Sequence, residues 1–480
     1  MNRTRPLSVV IVGGGIAGLA AAHDLVRAHG DGHPVDVTLV EKGSVLGGNL
    51  RSERGDGFVV DGGPDSWVVT KPDTTALVKE IGLEKELVTT IPENRRVYVA
   101  HEGELHPLPE GLVLGVPTRI RPVVETRLFT WRGKMRMAAE PFVPARSWGP
   151  TDDESIGDFV SRRLGRELAE RLAAPLLGGI FGGDAWQLSL RATFPQFIEQ
   201  ETKYRSLVRA MRATRKPPTK GQSAPSAFQS LARGIGSLTE TLEAGLVSKA
   251  TILRGRSALA VSRNDGAGEG DAAKYVVSVE GQDPLRADAV VVAAPAHAAS
   301  SLLRGVAKDA SELLATLGYG STATVFHAWK RADVPHALDA TGFLVPRSSG
   351  RPILASTWVS SKWAGRAPEG KVLLRTFVGG AWGEEILRKE DSDLVSLSLA
   401  ELRTLMKVDA APLWSRVFRF EKASPQPLVG HVERMEKVRA ALAREGGLFA
   451  IGTGYDGVGI SDCIRQGRAA ARTILAARPG

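Results

Sequence analysis

The stretch that decides the fold begins with the apolar run Val9-Val10-Ile11-Val12 and continues through Gly13-Gly14-Gly15-Ile16-Ala17-Gly18. A helical stretch follows, and then a second apolar run, Val37-Thr38-Leu39-Val40, which ends at Glu41. In this order of elements Gly13 permits a tight turn, Gly15 lets a pyrophosphate approach the backbone, and Gly18 lets the helix pack closely on the sheet. The helix aims its free amide groups at the phosphates, and an acid about 20 residues further on accepts hydrogen bonds from ribose hydroxyls. We interpret the segment as a βαβ unit that binds an adenine dinucleotide.

A secretion signal is the alternative interpretation of the same residues. Arg3 and Arg5 precede an apolar run that reaches Ala20-Ala21-Ala22. The glycines inside that run, and the second strand with its terminal acid just beyond it, argue against a cleaved signal. We therefore expect the segment to be part of the folded protein.

Length and composition set broad limits. A chain of 480 residues, 43% hydrophobic and 24% charged, is long enough for two or three lobes with a large core. No uninterrupted apolar run reaches the ~20 residues that a spanning helix needs. The single cysteine, Cys463, excludes disulfides within the chain and a CxxC redox or zinc site, which suits a reducing cytoplasm. The nine histidines lack metal-ligand spacing, so we predict no metal site. A net charge of +9 favours anionic partners without identifying one.

Glycine pairs beyond Glu41 favour a flavin over a nicotinamide dinucleotide. The pair Gly47-Gly48 suits a chain that wraps a longer, extended cofactor. Residues 57–61 predict a short strand, and the turn Gly62-Gly63-Pro64-Asp65-Ser66 has bare backbone that could lie along a ring system. A hairpin turn without a ligand is the alternative for this turn.

The segment from about 91 to 220 is predicted to be helical and locally basic. Ser155 is predicted as an N-cap, and Leu164, Leu168 and Leu172 follow at a spacing of four. Further along, one apolar helix face opposes one basic face; the apolar set is Tyr204, Leu207, Val208 and Met211, and the basic set is Arg205, Arg209, Arg212 and Lys216. A solvated surface is the first interpretation of this basic stripe, and contact with an anionic substrate, protein or lipid surface is the second.

The middle of the chain predicts a second sheet. Residues 217–226 have the composition of a linker, and residues 264–270 that of a hairpin loop. The apolar run 287–295 predicts a buried strand. Strand alternation at 322–326, 343–345 and 372–378 then indicates a sheet in its own lobe.

The end of the chain predicts a second helix terminus at the cofactor. Residues 448–452 read as a core strand, residues 454–462 as a glycine-rich loop, and a helix then runs to about Ala477. At a flavin, the positive end of this helix would stabilise negative charge on the reduced pyrimidine edge.

Several of these motifs together resemble the FAD-dependent porphyrinogen oxidases of haem biosynthesis, within the amine oxidase and phytoene desaturase superfamily. The likeness spans nearly the full length. Besides the N-terminal motif it rests on residues 62–66, 293–295 and 457–464 and on more specific stretches, namely Leu177-Gly178-Gly179-Ile180-Phe181-Gly182-Gly183-Asp184, Leu188-Ser189, Thr193-Phe194-Pro195 and Arg205-Ser206-Leu207.

The resemblance implies an α/β fold, α+β overall, with three parts. A discontinuous Rossmann-type FAD domain would take residues 1–88, 223–303 and 425–480. A helical substrate-access or membrane-facing domain would take 89–222, and a mixed-sheet substrate domain 304–424. It also implies the chemistry: FAD takes a hydride from a tetrapyrrole, oxygen reoxidises the flavin with release of hydrogen peroxide, and three rounds convert a porphyrinogen into a porphyrin.

The resemblance also implies the site residues. FAD would be bound by Gly13, Gly14, Gly15, Ile16, Ala17, Gly18, Glu41, Lys42, Asn49, Gly63, Pro64, Asp65, Ser66, Ala258, Val458, Gly459 and Ile460. Arg95 resembles the arginine that receives a substrate propionate, and its guanidinium fork suits a carboxylate. Gly179 would place a backbone group over the reacting ring, and Leu344 and Phe377 would sandwich the macrocycle. Lys71 is a second candidate anchor.

Different residues of the sequence favour different porphyrinogens as the substrate. Residues 63–67 with Lys71, residues 357–363 and residues 367–371 resemble the bacterial enzymes that oxidise coproporphyrinogen III. Arg95 is also carried by the protoporphyrinogen branch. We favour coproporphyrinogen III, with protoporphyrinogen IX as the alternative. Where relatives commonly read Pro-Gln-Tyr before Gly-His, this chain has Pro425-Gln426-Pro427-Leu428-Val429-Gly430-His431, so any role of that tyrosine is lost or moved.

Other readings of the scaffold are weaker. A flavin amine oxidase usually brings an aromatic pair near the C-terminal motif, where this chain has Tyr455 alone. A phytoene desaturase would need an apolar tunnel without carboxylate anchors. A cofactor-free binding protein conflicts with the intact Glu41 and the complete C-terminal loop. We expect porphyrinogen and molecular oxygen as partners, and no nucleic acid. We also expect peripheral contact with the inner face of the membrane, transient contact with a ferrochelatase, and a monomer or homodimer.

Overall fold

The computed structural model describes residues 5–30, 33–113, 115–117, 119–214, 226–265, 273–381 and 383–477. Its first large sheet, the dinucleotide sheet, is fully parallel. Across the sheet the strands follow the order Thr251–Arg254, Val35–Glu41, Leu7–Val12, Ala289–Val292 and Leu448–Ala450. The predicted βαβ unit is confirmed, and the whole fold is mixed α/β as expected.

Helices cover both faces of the dinucleotide sheet, which explains why its strands are continuous apolar runs. Val9 and Ile11 face one helical layer, and Val10 and Val12 face the other. The first layer contains the helices Ile16–Gly30, Gly236–Leu246 and Ile460–Ala476, and the second contains Ala296–Leu303, Lys308–Ala315 and His431–Glu445. A three-stranded antiparallel sheet of Ala258–Arg263, Tyr275–Val279 and Leu285–Ala287 adds to the second layer.

The second large sheet, the substrate sheet, is mixed. Its strands follow the order Trp414–Gln426, Gly318–Lys330, Lys371–Gly379, Ile353–Trp358, Gly342–Leu344, Tyr98–His101 and Glu104–Pro107. All neighbours pair antiparallel except Gly342–Leu344 with Tyr98–His101. The helix Asp391–Met406 covers one face through residues such as Leu394 and Leu402. The predicted second sheet is therefore present.

One part of the substrate sheet differs from expectation. The hairpin of Tyr98–His101 and Glu104–Pro107 lies at the sheet edge, although the sequence predicts helix from about residue 91. Strands of four residues carry little alternation, so pairing with Gly342–Leu344 decides their conformation. The three-domain division stays a prediction, with this hairpin assigned to the substrate sheet.

The helical lobe follows this hairpin. Its helices are Ile120–Glu125, Trp131–Ala138, Ile156–Leu164, Arg166–Leu168, the π-helix Ala169–Gly178, Gly179–Phe181, Leu190–Thr193, Pro195–Tyr204 and Leu207–Thr214. Ser155 caps its helix as predicted, because its hydroxyl accepts a hydrogen bond from the Asp158 amide at 3.0 Å. Leu164, Leu168 and Leu172 are all buried. The leucines at the predicted spacing of four therefore lie in the core of the lobe.

Shorter elements connect these layers. They are the strands Ser52–Gly55, Phe58–Asp61, Trp67–Val68, Leu87–Thr89, Leu112–Val113, Val116–Pro117 and Phe228–Leu231, the α-helices Asp73–Glu80 and Val359–Lys362, and the 3-10 turns Glu84–Glu86, Pro92–Asn94, Glu140–Phe142, Arg331–Asp333, Arg347–Ser349 and Ile386–Arg388. Among the helices that the structure describes, none is both long and apolar enough to cross a membrane.

Part of the predicted basic stripe forms the helix Leu207–Thr214. Its apolar side is buried in the lobe through Leu207, Val208 and Met211, whereas Arg209 and Arg212 are exposed. The opposition of the two faces is confirmed from Leu207 to Thr214. The prediction is wrong for Tyr204 and Arg205, because Tyr204 ends the preceding helix and Arg205 has a left-handed backbone with a φ of +56° that separates the two helices. Lys216, the linker at 217–225 and most of the loop at 264–270 lie outside the described residues.

A buried ionic cluster holds the helical lobe together. Arg163 and the carboxylates of Glu140 and Glu201 have fully buried side chains, and the guanidinium binds both acids. Glu140 also accepts hydrogen bonds from the Ser206 hydroxyl at 2.5 Å and the Leu207 amide at 2.9 Å. This carboxylate therefore caps the basic helix, where the positive end of the helix dipole favours a negative charge.

Replacing Arg163 by Met is expected to lower the free energy of unfolding by about 3–5 kcal/mol, because the buried Glu140 carboxylate loses its arginine and the Glu201 carboxylate keeps Arg162 but loses Arg163. Urea denaturation followed by circular dichroism measures the change. Arg166→Met is the control, since the Arg166 side chain is 79% exposed and pairs only with Glu170 along the helix surface. Equal stability of the two variants would contradict the structural role of the cluster.

Candidate flavin and substrate site

The glycines of the N-terminal motif form a cradle whose open side fits a dinucleotide. Gly13 has a φ of +108°, and a Cβ there would lie 2.3 Å from the Ala293 carbonyl oxygen. A Cβ at Gly18 would lie 2.1 Å from the Gly13 oxygen, so the helix contacts the turn directly. A Cβ at Gly15, by contrast, would meet no described atom within 4 Å. The motif therefore has two glycines required for packing and one that faces open space, as pyrophosphate binding requires.

The acid predicted for the ribose closes this cradle. Glu41 ends the second strand, and its carboxylate accepts hydrogen bonds from the amides of Gly14 and Gly43, each at 2.7 Å. The Glu41 carbonyl accepts the Arg256 amide at 3.1 Å, which brings the neighbouring Ala258 segment to the same edge. Lys42 follows Glu41 and is exposed. The residues predicted for ribose and adenine therefore lie at one end of the cradle.

A second glycine pair crosses the motif. Gly47 forms an isolated bridge with Gly15, and its amide donates to the Gly14 carbonyl at 2.8 Å. Two residues later, the Asn49 carbonyl lies against Gly63, where a Cβ would approach it to 2.2 Å. The chain therefore passes directly from the phosphate cradle to the turn predicted to lie along the flavin ring.

The C-terminal loop lies at the same edge of the dinucleotide sheet as the N-terminal glycine motif. The helix Ile460–Ala476 starts after Val458 and Gly459, and Asp462 accepts the Gly459 amide at 3.1 Å. A Cβ at Gly467 of this helix would lie 2.3 Å from the Ala17 carbonyl oxygen, so the first and last helices cross in close contact. Both helices follow carboxyl ends of parallel strands, so both N-termini lie at the same edge of the dinucleotide sheet.

Lys71 belongs to this loop contact. Its ammonium lies 2.7 Å from both carboxylate oxygens of Asp462. The Asp462 carboxylate is buried, whereas the Lys71 side chain is 53% exposed. Lys71 was predicted as a substrate anchor, but the structure places its charge opposite the carboxylate that caps the last helix.

The turn 62–66 is held by two cations, Lys362 at the end of the helix Val359–Lys362 and Arg375 on the substrate sheet. Lys362 donates to Asp65 at 2.9 and 3.0 Å, and Arg375 donates to the same carboxylate at 3.0 Å. Burial alone would raise the pKa of Asp65, but the two cations outweigh it and hold that pKa far below its usual range. Ser66 adds a hydrogen bond of 2.8 Å to Asp65. Asp65, predicted to contact FAD, is thus a buried anion that fixes the turn.

Leu344 and Phe377 lie in one row across the substrate sheet. Both are in register with Ala355 on the strand between them. Phe377 is also in register with Thr324, whose hydroxyl donates to the Gly62 carbonyl at 2.7 Å. Strands lie about 4.8 Å apart, so Leu344 and Phe377 are roughly 10 Å apart on one face. The row ends at the turn 62–66, which is predicted to lie along the flavin ring.

The helical lobe covers the other end of this row. Val99 continues the row beyond Leu344 and is buried among residues of the helical lobe. Gly179 opens the short helix Gly179–Phe181 and is exposed. The Phe181 carbonyl accepts Gln426 Nε2 at 2.9 Å, so this segment rests on the substrate sheet. The structure therefore brings the Gly179 segment to the same sheet as Leu344 and Phe377.

Arg95 lies on a loop attached to the short helix Val359–Lys362. Just before it, Asn94 Nδ2 donates to the Ser361 carbonyl at 3.0 Å. The Ile91 amide donates to the Lys362 carbonyl at 3.0 Å. The loop with Arg95 is therefore anchored beside Lys362, whose ammonium contacts Asp65 of the turn 62–66.

Aromatic residues near the C-terminal loop have structural contacts. The Tyr455 hydroxyl donates to the Ala294 carbonyl at 2.7 Å and is buried. Tyr319 accepts the Ala296 amide at 3.0 Å, and burial raises the pKa of Tyr319 to about 12. The single tyrosine noted in the sequence thus fastens the loop to the dinucleotide sheet.

Four charged residues of the site were not predicted. They are Asp61, Lys362, Arg366 and Arg375. One signal was available, because Arg375 interrupts the apolar run Val372-Leu373-Leu374-Arg375-Thr376-Phe377-Val378. A cation in a buried strand requires a buried counter-ion. The identity of that counter-ion, more than 300 positions away in the sequence, could not be read from the pattern.

Comparisons with known proteins agree with this geometry. Residues 16–475 match the family model for flavin containing amine oxidoreductases. The chain is 37% identical over 473 residues to coproporphyrinogen III oxidase of Bacillus subtilis, covering 97% of each. It is 32% identical to the chloroplastic protoporphyrinogen oxidase of Oryza sativa, covering 95% of this chain and 85% of that protein. A crystal structure from Exiguobacterium sp. 255-15 superposes with a TM-score of 0.87 at 33% identity, covering 99% of this chain and 100% of that chain.

This chain belongs to the porphyrinogen oxidases of the flavin-containing amine oxidoreductase family. The predicted family and fold class are confirmed, and a flavin is the cofactor of that family. The Gly13–Gly18 cradle, the Glu41 carboxylate and the N-terminus of the last helix fit such a cofactor. The individual site residues stay predictions.

Two glycine variants distinguish a position expected to face the cofactor, Gly15, from a position packed against backbone, Gly18. Gly15→Ala is expected to weaken flavin binding at least tenfold and to leave the stability of the apoprotein unchanged, because the new methyl enters open space. Gly18→Ala is expected to destabilise the apoprotein as well, because the methyl meets backbone. Flavin fluorescence titration and urea denaturation measure the two effects. Gly30→Ala, at the end of the first helix in open space, is the control.

Proposed function

We propose that this porphyrinogen oxidase binds FAD and oxidises coproporphyrinogen III to coproporphyrin III. The reaction removes six electrons and six protons in three two-electron steps, and three molecules of oxygen become three of hydrogen peroxide. The observation that carries the proposal is the row of Leu344, Ala355 and Phe377, which ends beneath the turn expected at the flavin. The 37% identity to a coproporphyrinogen III oxidase supports the choice of substrate.

The residues of the chain position the substrate and the cofactor more than they transfer protons. When bound, FAD supplies a two-electron acceptor. Leu344 and Phe377 provide an apolar wall that excludes water and limits the motion of a flexible macrocycle. Arg95 offers two parallel hydrogen bonds to a propionate, which would fix the orientation of the ring. The N-terminus of the helix that starts at Ile460 favours negative charge on the flavin's pyrimidine edge.

Lys71 takes a different role in this proposal. Its ammonium neutralises Asp462 at the start of the last helix. We propose that the pair keeps the loop of Val458 and Gly459 in the conformation that receives the cofactor. Arg95 then remains the one substrate anchor assigned in the chain.

Protoporphyrinogen IX is the second candidate substrate. The resemblance of Arg95 to the arginine of the protoporphyrinogen branch favours it, as does the 32% identity to a protoporphyrinogen oxidase. Contact with a membrane surface, contact with a ferrochelatase and the oligomeric state stay predictions. The exposed Trp131, Met135 and Phe142 of the helical lobe support the first of these.

Parallel assays with the two porphyrinogens test the substrate. We expect kcat/KM for coproporphyrinogen III to exceed that for protoporphyrinogen IX at least tenfold, measured by the fluorescence of the porphyrin product under air. Coproporphyrinogen III has four propionates where protoporphyrinogen IX has two, so it presents more carboxylates to Arg95. A ratio in the opposite direction would assign the chain to protoporphyrinogen oxidation.

Arg95→Ala is expected to raise KM for the porphyrinogen about tenfold or more, because a charge-assisted hydrogen bond is worth about 1.5–3 kcal/mol. Flavin content should not change. The neighbouring Arg96 provides a matched control, since its side chain is 66% exposed and lies 3.7 Å from Asp339. A loss of flavin in the Arg95 variant, or an equal effect of Arg96→Ala on KM, would remove Arg95 from the substrate site.

A further inference from the structure

Five buried charges surround the turn 62–66, and we refer to them as the turn cluster. The two anions are Asp61 and Asp65, and the three cations are Lys362, Arg366 and Arg375. Arg366 lies 3.0 Å from Asp61, which also accepts hydrogen bonds from the Ser52 hydroxyl and the Ile235 amide. Arg366 and Asp61 thus neutralise each other beneath the start of the turn.

Asp65 is shared by the other two cations. Lys362 and Arg375 both contact its carboxylate within 3.0 Å. All three side chains are at least 85% buried. With Arg366 and Asp61 balanced, one anion faces two cations, so the turn cluster carries one positive charge in excess. An excess charge in a region with little water acts over a longer range than one at the surface.

Arg375 connects the turn to the proposed substrate wall. One guanidinium nitrogen donates to the Gly63 carbonyl at 2.9 Å, and the other donates to Asp65. The guanidinium carbon lies 4.5 Å from the centre of the Phe377 ring. Arg375 and Phe377 are two positions apart on one strand and therefore share a face. The guanidinium is thus fixed by its neighbours on both sides.

Lys362 supplies the charge that can be removed with least disturbance. Its ammonium contacts only Asp65 among the carboxylates of the turn cluster, and the ammonium nitrogen lies 5.0 Å from the centre of the Trp363 ring. Burial lowers the pKa of Lys362, and the Asp65 carboxylate opposes that change. Without Lys362, Asp65 keeps Arg375, Ser66 and Trp363 as partners.

We propose that Lys362 and Arg375 are positioning residues that set the electrostatic potential at the flavin-facing turn, so that their excess positive charge favours the reduced over the oxidised flavin. The inference rests on the proposed function in one respect, namely that the turn 62–66 lies along the flavin ring. Reduction by hydride adds two electrons and one proton, so negative charge accumulates on the ring and a buried cation nearby stabilises it. No contact between Lys362 and the substrate is involved.

The reduction potential of the bound flavin tests this role. Lys362→Met is expected to shift the equilibrium between reduced and oxidised flavin at least tenfold toward the oxidised form, which is about 30 mV for a two-electron couple. Lys362→Arg keeps the charge but changes the shape, and it should stay within threefold of the wild type. Anaerobic titration against a reference dye gives both values without any porphyrinogen.

Arg351→Met is the matched control. Arg351 is buried to a similar extent, with 19% of its side chain exposed against 15% for Lys362, and it pairs with Glu401 at 2.8 Å. Glu401 belongs to the helix on the opposite face of the substrate sheet. Loss of this cation should leave the flavin potential within twofold of the wild type. Urea denaturation of the apoproteins shows whether both Met variants remain folded.

The outcomes separate this inference from the proposed function. If the wild-type chain retains flavin but Lys362→Met leaves the potential unchanged, or Lys362→Arg shifts it as much as Met does, the electrostatic role of the turn cluster is wrong. If Lys362→Met does not fold, Asp65→Asn replaces it, and its expected shift is toward the reduced form. If the wild type retains no flavin, the proposed function itself fails.

Discussion

The buried carboxylate of Asp65 is the interaction on which the joint between the two large sheets depends. It lies on a turn that leaves the dinucleotide side of the molecule. One cationic partner, Arg375, is on a strand of the substrate sheet, and the other, Lys362, ends the short helix that follows the strand Ile353–Trp358. A buried anion without partners would cost several kcal/mol, so the two sheets are bound to each other at this turn. The hydrogen bond from Thr324 to Gly62 fixes the same junction through the backbone.

The site follows from that junction. The row of Leu344, Ala355 and Phe377 crosses the substrate sheet on the face that meets the turn, and the helical lobe closes the far end at Val99. An apolar surface bounded by the turn 62–66, the loop with Arg95 and a lobe of helices suits a large, mostly apolar substrate with acidic groups at its edge. In the proposed function this surface acts by positioning the substrate.

Several features were predictable because they depend on neighbours in the chain. The cradle of Gly13, Gly15 and Gly18 depends on local backbone geometry, and the Ser155 cap on a hydroxyl three residues from its partner. The hairpin at 98–107 was missed because its two strands have only four residues each and the strand that joins it to the sheet, Gly342–Leu344, lies far along the sequence. The role of Lys71 as a substrate anchor stays a prediction, and its ion pair with Asp462 was not predictable because the two residues are 391 positions apart. The counter-ions of Arg375 were hidden for the same reason.

The sequence by itself determined the cofactor class, the family and the dinucleotide sheet, since glycine spacing, strand periodicity and local motifs act over a few residues. Only the tertiary structure decided which charges meet. Asp65 is paired with Lys362 and Arg375, and Lys71 with Asp462, because chain segments hundreds of residues apart are brought within 3 Å of each other. The energy of a buried ion depends on every neighbour at once, and sequence distance carries no information about that neighbourhood.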